Sequence, residues 1–128
     1  MADLLQKASA WLEDQRARHM TQPVVYQRGA PPGNTVSVFA TIGETIFRID
    51  DGAGALLRVE SRDYLITASD LVINGSPVIP RRGDRILETQ GNRTFIYEVS
   101  APGDEPEWRW SDPYRRTLRI HTLQVDTQ

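Results

Sequence analysis

The sequence predicts a mainly β protein, a small antiparallel β-barrel or sandwich carrying one N-terminal amphipathic α-helix. Apolar residues recur at helical spacing only ahead of Pro23. Beyond it come short runs of β-branched and aromatic residues. Gly, Pro and Asn break these runs at intervals of roughly 8–12 residues, the rhythm of a sandwich or barrel. The expected division is residues 1–22 as the helix and 23–128 as the barrel, a single structural unit. A chain of 128 residues can bury a core without disulfide or metal staples.

In the first element Asp3 caps a helix and Gln6 stands three residues on, a capping-box arrangement. Leu4, Leu5, Ala8, Trp11, Leu12 and Gln15 follow one face, with Lys7, Glu13, Asp14 and Arg16 on the other, about four turns in all. Pro23 bars a longer helix, because the residue before a proline avoids the α region. Residues 24–28 then read as a strand closed by a turn-rich loop, and residues 35–42 and 44–49 as two strands parted by Gly43. After a loop around Gly52 and Gly54, residues 56–60 and 62–66 are extended. Residues 68–71 form a single turn, and Asn74-Gly75 a reversal. Residues 85–89 and 93–99 flank Gln90-Gly91-Asn92, a three-residue hairpin loop. The last strand covers residues 117–125, where Leu118, Ile120 and Thr122 alternate with Arg119, His121 and Leu123. Loops at 29–34, 50–55, 74–83 and 101–106 are rich in Gly and Pro and are candidates for mobility or for ordering on a partner.

Composition removes whole classes of function. Without cysteine there is no disulfide framework, thiolate metal site or cysteine nucleophile. No apolar run reaches the ~18–20 residues of a membrane span. Asp3, Gln6, Lys7, Glu13 and Asp14 interrupt the N-terminus where a secretory signal would be apolar. The expectation is a protein made in a cytosol, with no membrane partner. A net charge of −2 offers no global attraction to nucleic acid. Lys7 is the single lysine beside fourteen arginines. Genomic base composition is the plain cause of that bias, and bidentate contacts to carboxylates or phosphates are the other.

Local motifs point away from chemistry. Arg82-Gly83-Asp84 spells an adhesion tripeptide, but Gly83 is better read as a positive-φ turn position before a strand. Asp50-Asp51-Gly52 faintly resembles a calcium loop, yet Gly54 and Ser61 stand where further oxygen ligands belong, so a solvated hairpin tip is expected. His19 and His121 have no adjacent metal ligands. No Gly-x-Ser-x-Gly elbow, Walker or dinucleotide pattern occurs. The expectation is no enzyme, no metal and no cofactor.

The densest signal is residues 107–122, with two of the three tryptophans, one tyrosine and four arginines in sixteen positions. Aromatic and Arg side chains at that density are what contact surfaces use. Trp108, Arg109, Trp110, Tyr114, Arg115, Arg116 and Arg119 are therefore candidates for a subunit or partner interface. Single-stranded nucleic acid could stack on such a platform, but Asp104, Glu105, Glu107 and Asp112 lie beside it. An internal alternative stays open, with the tryptophans in the core and the arginines paired to those acids. In the 74–83 loop, Asn74, Gly75, Pro77, Pro80, Arg81 and Arg82 are candidates to contact an adaptor or a channel.

Three blocks carry a family resemblance: Glu60-Ser61-Arg62-Asp63-Tyr64-Leu65-Ile66, Pro80-Arg81-Arg82-Gly83-Asp84-Arg85-Ile86, and Asp112 through Thr122. With the Trp- and Leu-bearing N-terminal segment, they resemble small head–tail connector proteins of tailed bacteriophages, of the head-closure or stopper type. The likeness covers residues 24–122 or so. It implies a β-barrel protomer of a homo-oligomeric ring, six- or twelve-fold, in the virion neck. Portal and adaptor proteins would lie on the head side, and the tail terminator or tail tube on the other. DNA would pass through the channel without sequence-specific binding, with no catalytic role for the protein. A tail terminator or tail-completion protein is the second reading, and a nucleic-acid-binding barrel the third.

Overall fold

The computed structural model describes residues 7–8, 21–29 and 34–127. Nine strands occur there: β1 (Gln22–Arg28), β2 (Asn34–Asp50), β3 (Leu56–Thr67), β4 (Val72–Ile73), β5 (Ser76–Pro77), β6 (Arg85–Gln90), β7 (Arg93–Val99), β8 (Trp108–Trp110) and β9 (Thr117–Thr127). Six of them follow the order β3-β2-β1-β6-β7-β9, every neighbouring pair antiparallel, and β3 pairs with β9 to close the barrel. Closure leaves the barrel wall without an open edge. The mainly β barrel expected from the turn rhythm is present. The expected helix over 1–22 lies outside the described residues, apart from Lys7 and Ala8, which are too few to test it.

Strand alternation sends one set of side chains inward. Val24 and Tyr26 of β1, Tyr64 and Ile66 of β3, Ile86 of β6, and Leu118 and Ile120 of β9 form the buried core. Leu71 and Ile73, from the single 3-10 turn Ala68–Asp70 and the β4–β5 hairpin, join it. Asn74 and Gly75 make that hairpin's turn with φ of +53° and +79°, the primed geometry that a two-residue connection favours.

One carboxylate crosses the barrel interior. Glu88 on β6 stands opposite β3, and Tyr64 Oη donates to its Oε1 at 2.6 Å. Arg62 clamps the same carboxylate through Nε at 3.0 Å and Nη2 at 2.8 Å. Burial pushes this carboxyl up, but hydrogen bonds from Tyr64, Gln90 and Arg62 outweigh it and hold it below its ordinary range. Tyr64 and Tyr97 meet edge-on beside it at 5.8 Å, and Arg62 stacks over Tyr97.

Three details differ from the sequence reading. β2 continues through Gly43, and β3 continues through Ser61, so four expected strands are two long ones. Gly43 breaks nothing because its role is clearance: a Cβ there would stand 3.2 Å from the Arg119 guanidinium. The β6–β7 turn is tighter than expected. Gln90 pairs with Arg93, leaving Gly91 and Asn92 as the connection, with φ of +63° at Gly91. β8 carries no strand signal of its own, because three residues are too short for one and show only an aromatic-basic run.

Candidate assembly surfaces

The tryptophans and arginines of residues 108–116 part by strand alternation. Trp108 pairs with Ile120 and Trp110 with Leu118, both inward positions, so the two rings lean on the core, half-buried and edge-to-face at 5.4 Å. Arg109 lies between them, faces outward and is exposed. Ahead of β9, the Asp112 carboxylate accepts the backbone N–H groups of Tyr114 (3.1 Å), Arg116 (2.9 Å) and Thr117 (2.8 Å). This cap fixes a compact loop. Arg115 stands at its tip, exposed, with a φ of +56° that a side chain rarely adopts. Tyr114 and Arg116 are half-buried in the same loop. Arg116 Nε is buried without a hydrogen-bond partner among the described residues.

Arg119 is committed within the protomer. Its Nε donates to Asp63 Oδ2 at 2.7 Å and its Nη2 to the Glu44 carbonyl at 3.0 Å. The acid that pairs with it is thus a distant one, while nearby Asp112 caps backbone and Glu107 approaches only Arg82, at 4.0 Å. Of the seven residues singled out in this segment, Arg109 and Arg115 are the outward cations, and the tryptophans anchor the platform that carries them.

The 74–82 stretch is similarly mixed. Asn74, Gly75 and Pro77 are exposed at the small hairpin, and Asn74 Nδ2 donates to Asn34 Oδ1 at 3.0 Å. Pro80 is buried. Arg82 braces the barrel through Ser100 Oγ and the Ala101 carbonyl, while the Arg81 side chain faces solvent. The Arg81 backbone N–H caps the buried Asp84, which Tyr26 Oη and the Arg28 guanidinium also hold. Gly83, at φ +97°, supplies the turn expected of it.

A third surface escaped the sequence reading. Past Gly43 and Asp63, β2 and β3 pair only with each other, from Thr45–Ser61 to Asp50–Leu56, so a two-stranded arm leaves the barrel. Its tip is the solvated hairpin expected, with the Asp50 and Asp51 carboxylates accepting backbone N–H groups of Gly52, Ala53 and Ala55. Its root is locked by Asp63. This buried carboxylate accepts hydrogen bonds from Ser61 Oγ at 2.6 Å, Arg119 Nε at 2.7 Å and Thr45 Oγ1. His121 Nδ1 lies 2.8 Å away, which places a proton on that nitrogen. Phe47 of the arm meets the His121 ring edge-on at 5.1 Å. Burial pushes the Asp63 carboxyl up, but the bonds from His121, Ser61, Thr45 and Arg119 prevail and hold it at about 2. The signal for the arm is a change of phase: half-buried and buried apolar positions pass from Val38, Ala40 and Ile42 to Phe47 and Ile49 across Gly43, within strands of 17 and 12 residues, where ~5–6 is usual.

Among the described residues no helix is long and apolar enough to cross a membrane. The family model of the phage head-tail joining protein matches residues 2–128. No curated protein matches the chain significantly.

Proposed function

The chain belongs to the phage head-tail joining protein family and is a structural component of the neck that links head to tail; on that premise we propose that it works as a homo-oligomeric ring, six- or twelve-fold, without catalysing a reaction. The head side of the ring meets portal and adaptor proteins, and the other side meets the tail terminator or tail tube. DNA passes through its centre and is not gripped by sequence. The observation that carries this reading is the pair of outward cations, Arg109 on β8 against β9 of the barrel and Arg115 on the loop that Asp112 caps. A sealed barrel offers no edge for strand exchange, so its wall associates through side chains such as these. The −2 net charge suits a channel that must release DNA. The exposed Asn74-Gly75 tip and Arg81 are available to meet the adaptor or to narrow the channel.

The test is assembly of an Arg109→Glu, Arg115→Glu variant, followed by light scattering and electron microscopy with the portal–adaptor complex. An unchanged circular dichroism spectrum with loss of ring particles is the expected outcome. Rings formed at the wild-type yield would remove these arginines from the interface. A wild-type chain that stays monomeric and binds neither neck nor tail components would remove the ring itself.

A further inference from the structure

A cyclic ring needs two different faces, because each subunit's first face must meet a second face on the next. We propose that the β2–β3 arm is that second face, laid across the Arg109 and Arg115 surface of a neighbouring copy of this chain. The proposal rests on the ring reading above and adds the occupant.

Three observations on the arm carry it. Beyond Ser61 the arm is a two-stranded ribbon with no strand beside either of its outer edges among the described residues. Such a ribbon is marginal alone and calls for cover. It also displays Leu56 at 69% exposure with Ile46 on the same face, and Leu57 at 52% on the opposite face, beside Ile49. Exposed apolar side chains grouped on one projection mark a contact, where scattered ones do not. The charges are complementary: the tip bears Asp50 and Asp51, while Arg109 and Arg115 form no ion pair among the described residues. Of the arm's two cations, Arg58 is held by Glu60 at 2.8 Å and Arg48 stands opposite it, exposed.

The Asp63 lock adds a fourth, energetic argument. An arm fixed at its root by Thr45, Ser61 and Arg119 loses little freedom on docking. Because every copy supplies both the arm and the arginine surface, each docking event leaves one of each unfilled until the ring closes. A head or tail protein could cover the arm, but would leave the two arginines without a counterpart on this chain.

The chain has no cysteine, so a paired cysteine variant reports cleanly. Leu57→Cys with Arg109→Cys, assembled with the portal–adaptor complex and treated with a flexible bis-maleimide, is expected to give a ladder of chain multiples on a denaturing gel. Each single variant gives none. Cross-links to another neck protein, or none from fully assembled rings, would overturn the proposal. A charge exchange supplies the second measurement. Asp50→Arg with Asp51→Arg is expected to reduce ring yield about tenfold or more, since like charges facing across an interface repel. Adding Arg109→Asp and Arg115→Asp to the same chain is expected to restore it. Rings at wild-type yield from the arm variant, or rings that form but fail to bind head or tail, would assign the arm elsewhere. Absence of wild-type rings would instead defeat the ring reading, a separate result.

Discussion

Removing the Asp63 carboxylate is the sharpest test of how the arm is held. In Asp63→Ala, His121 Nδ1–H and the Ser61 hydroxyl are left in buried surroundings, and Arg119 keeps only the Glu44 carbonyl. The hydroxyls of Ser61 and Thr45 can rotate to other acceptors, and the Arg119 side chain is 21% exposed and can be hydrated. The imidazole keeps only Ser61 Oγ, 3.4 Å from its Nδ1. Leaving buried donors without their acceptor costs about 1–3 kcal/mol, a sizeable share of the ~5–15 kcal/mol that holds a domain of this size. The pH dependence follows in sign. A carboxyl held at about 2 against an ordinary 3.8 stabilises the fold fully above its unfolded value and loses that contribution as pH falls from about 4 to about 2. A difference near two units corresponds to roughly 2–3 kcal/mol. Urea unfolding followed by tryptophan fluorescence at pH 7 and pH 2.5 measures both effects. Glu88 is depressed too, so wild type and variant both weaken in acid, and the gap between them isolates Asp63. A gap below about 1 kcal/mol at pH 7, or one that does not narrow in acid, would refute the reasoning. Hydrogen exchange across residues 44–61 should quicken in the variant more than exchange in β6 or β7.

Two further outcomes follow from named contacts. Gly43→Ala sets a methyl group 3.2 Å from the Arg119 guanidinium and should lower stability by about 1 kcal/mol; in an Arg119→Ala background the same change should stabilise by a few tenths of a kcal/mol through the unfolded chain, both read from urea midpoints. Asp112→Ala orphans three backbone N–H groups and should cost about 1–3 kcal/mol. Hydrogen exchange should then quicken at residues 113–117, with ring assembly falling while the barrel persists.

The fold was legible where one physical signal acted alone. Apolar alternation in residues 85–99 and 117–125 located β6, β7 and β9, and Asn74-Gly75 located its turn. It failed where one residue type serves two ends. Gly43 carries the composition of a break, yet its job is to clear space for a side chain 76 positions away. Arg119 looks like Arg115 in the chain, and only closure of β3 on β9 brings Asp63 against it. Trp108 and Trp110 were ambiguous between core and surface, and they occupy the boundary, each with one side on the core. Long-range pairing decides such cases, and no local window contains it.

The blocks that carried the family resemblance are the same ones that build the polar locks. Ser61, Arg62, Asp63 and Tyr64 come from the first, Asp84 from the second, and Arg119, His121 and Thr122 from the third. Arg28, Arg62 and Arg119 each grip one buried carboxylate, Asp84, Glu88 and Asp63, and in the first two both an Nε and an Nη2 engage it. Lysine, a point charge on a flexible stem, cannot supply that fork. Part of the arginine excess is therefore structural, and a sequence likeness resting on these blocks identifies the barrel and its arm root. Leu56, Leu57 and Arg109 lie outside those blocks and are exposed.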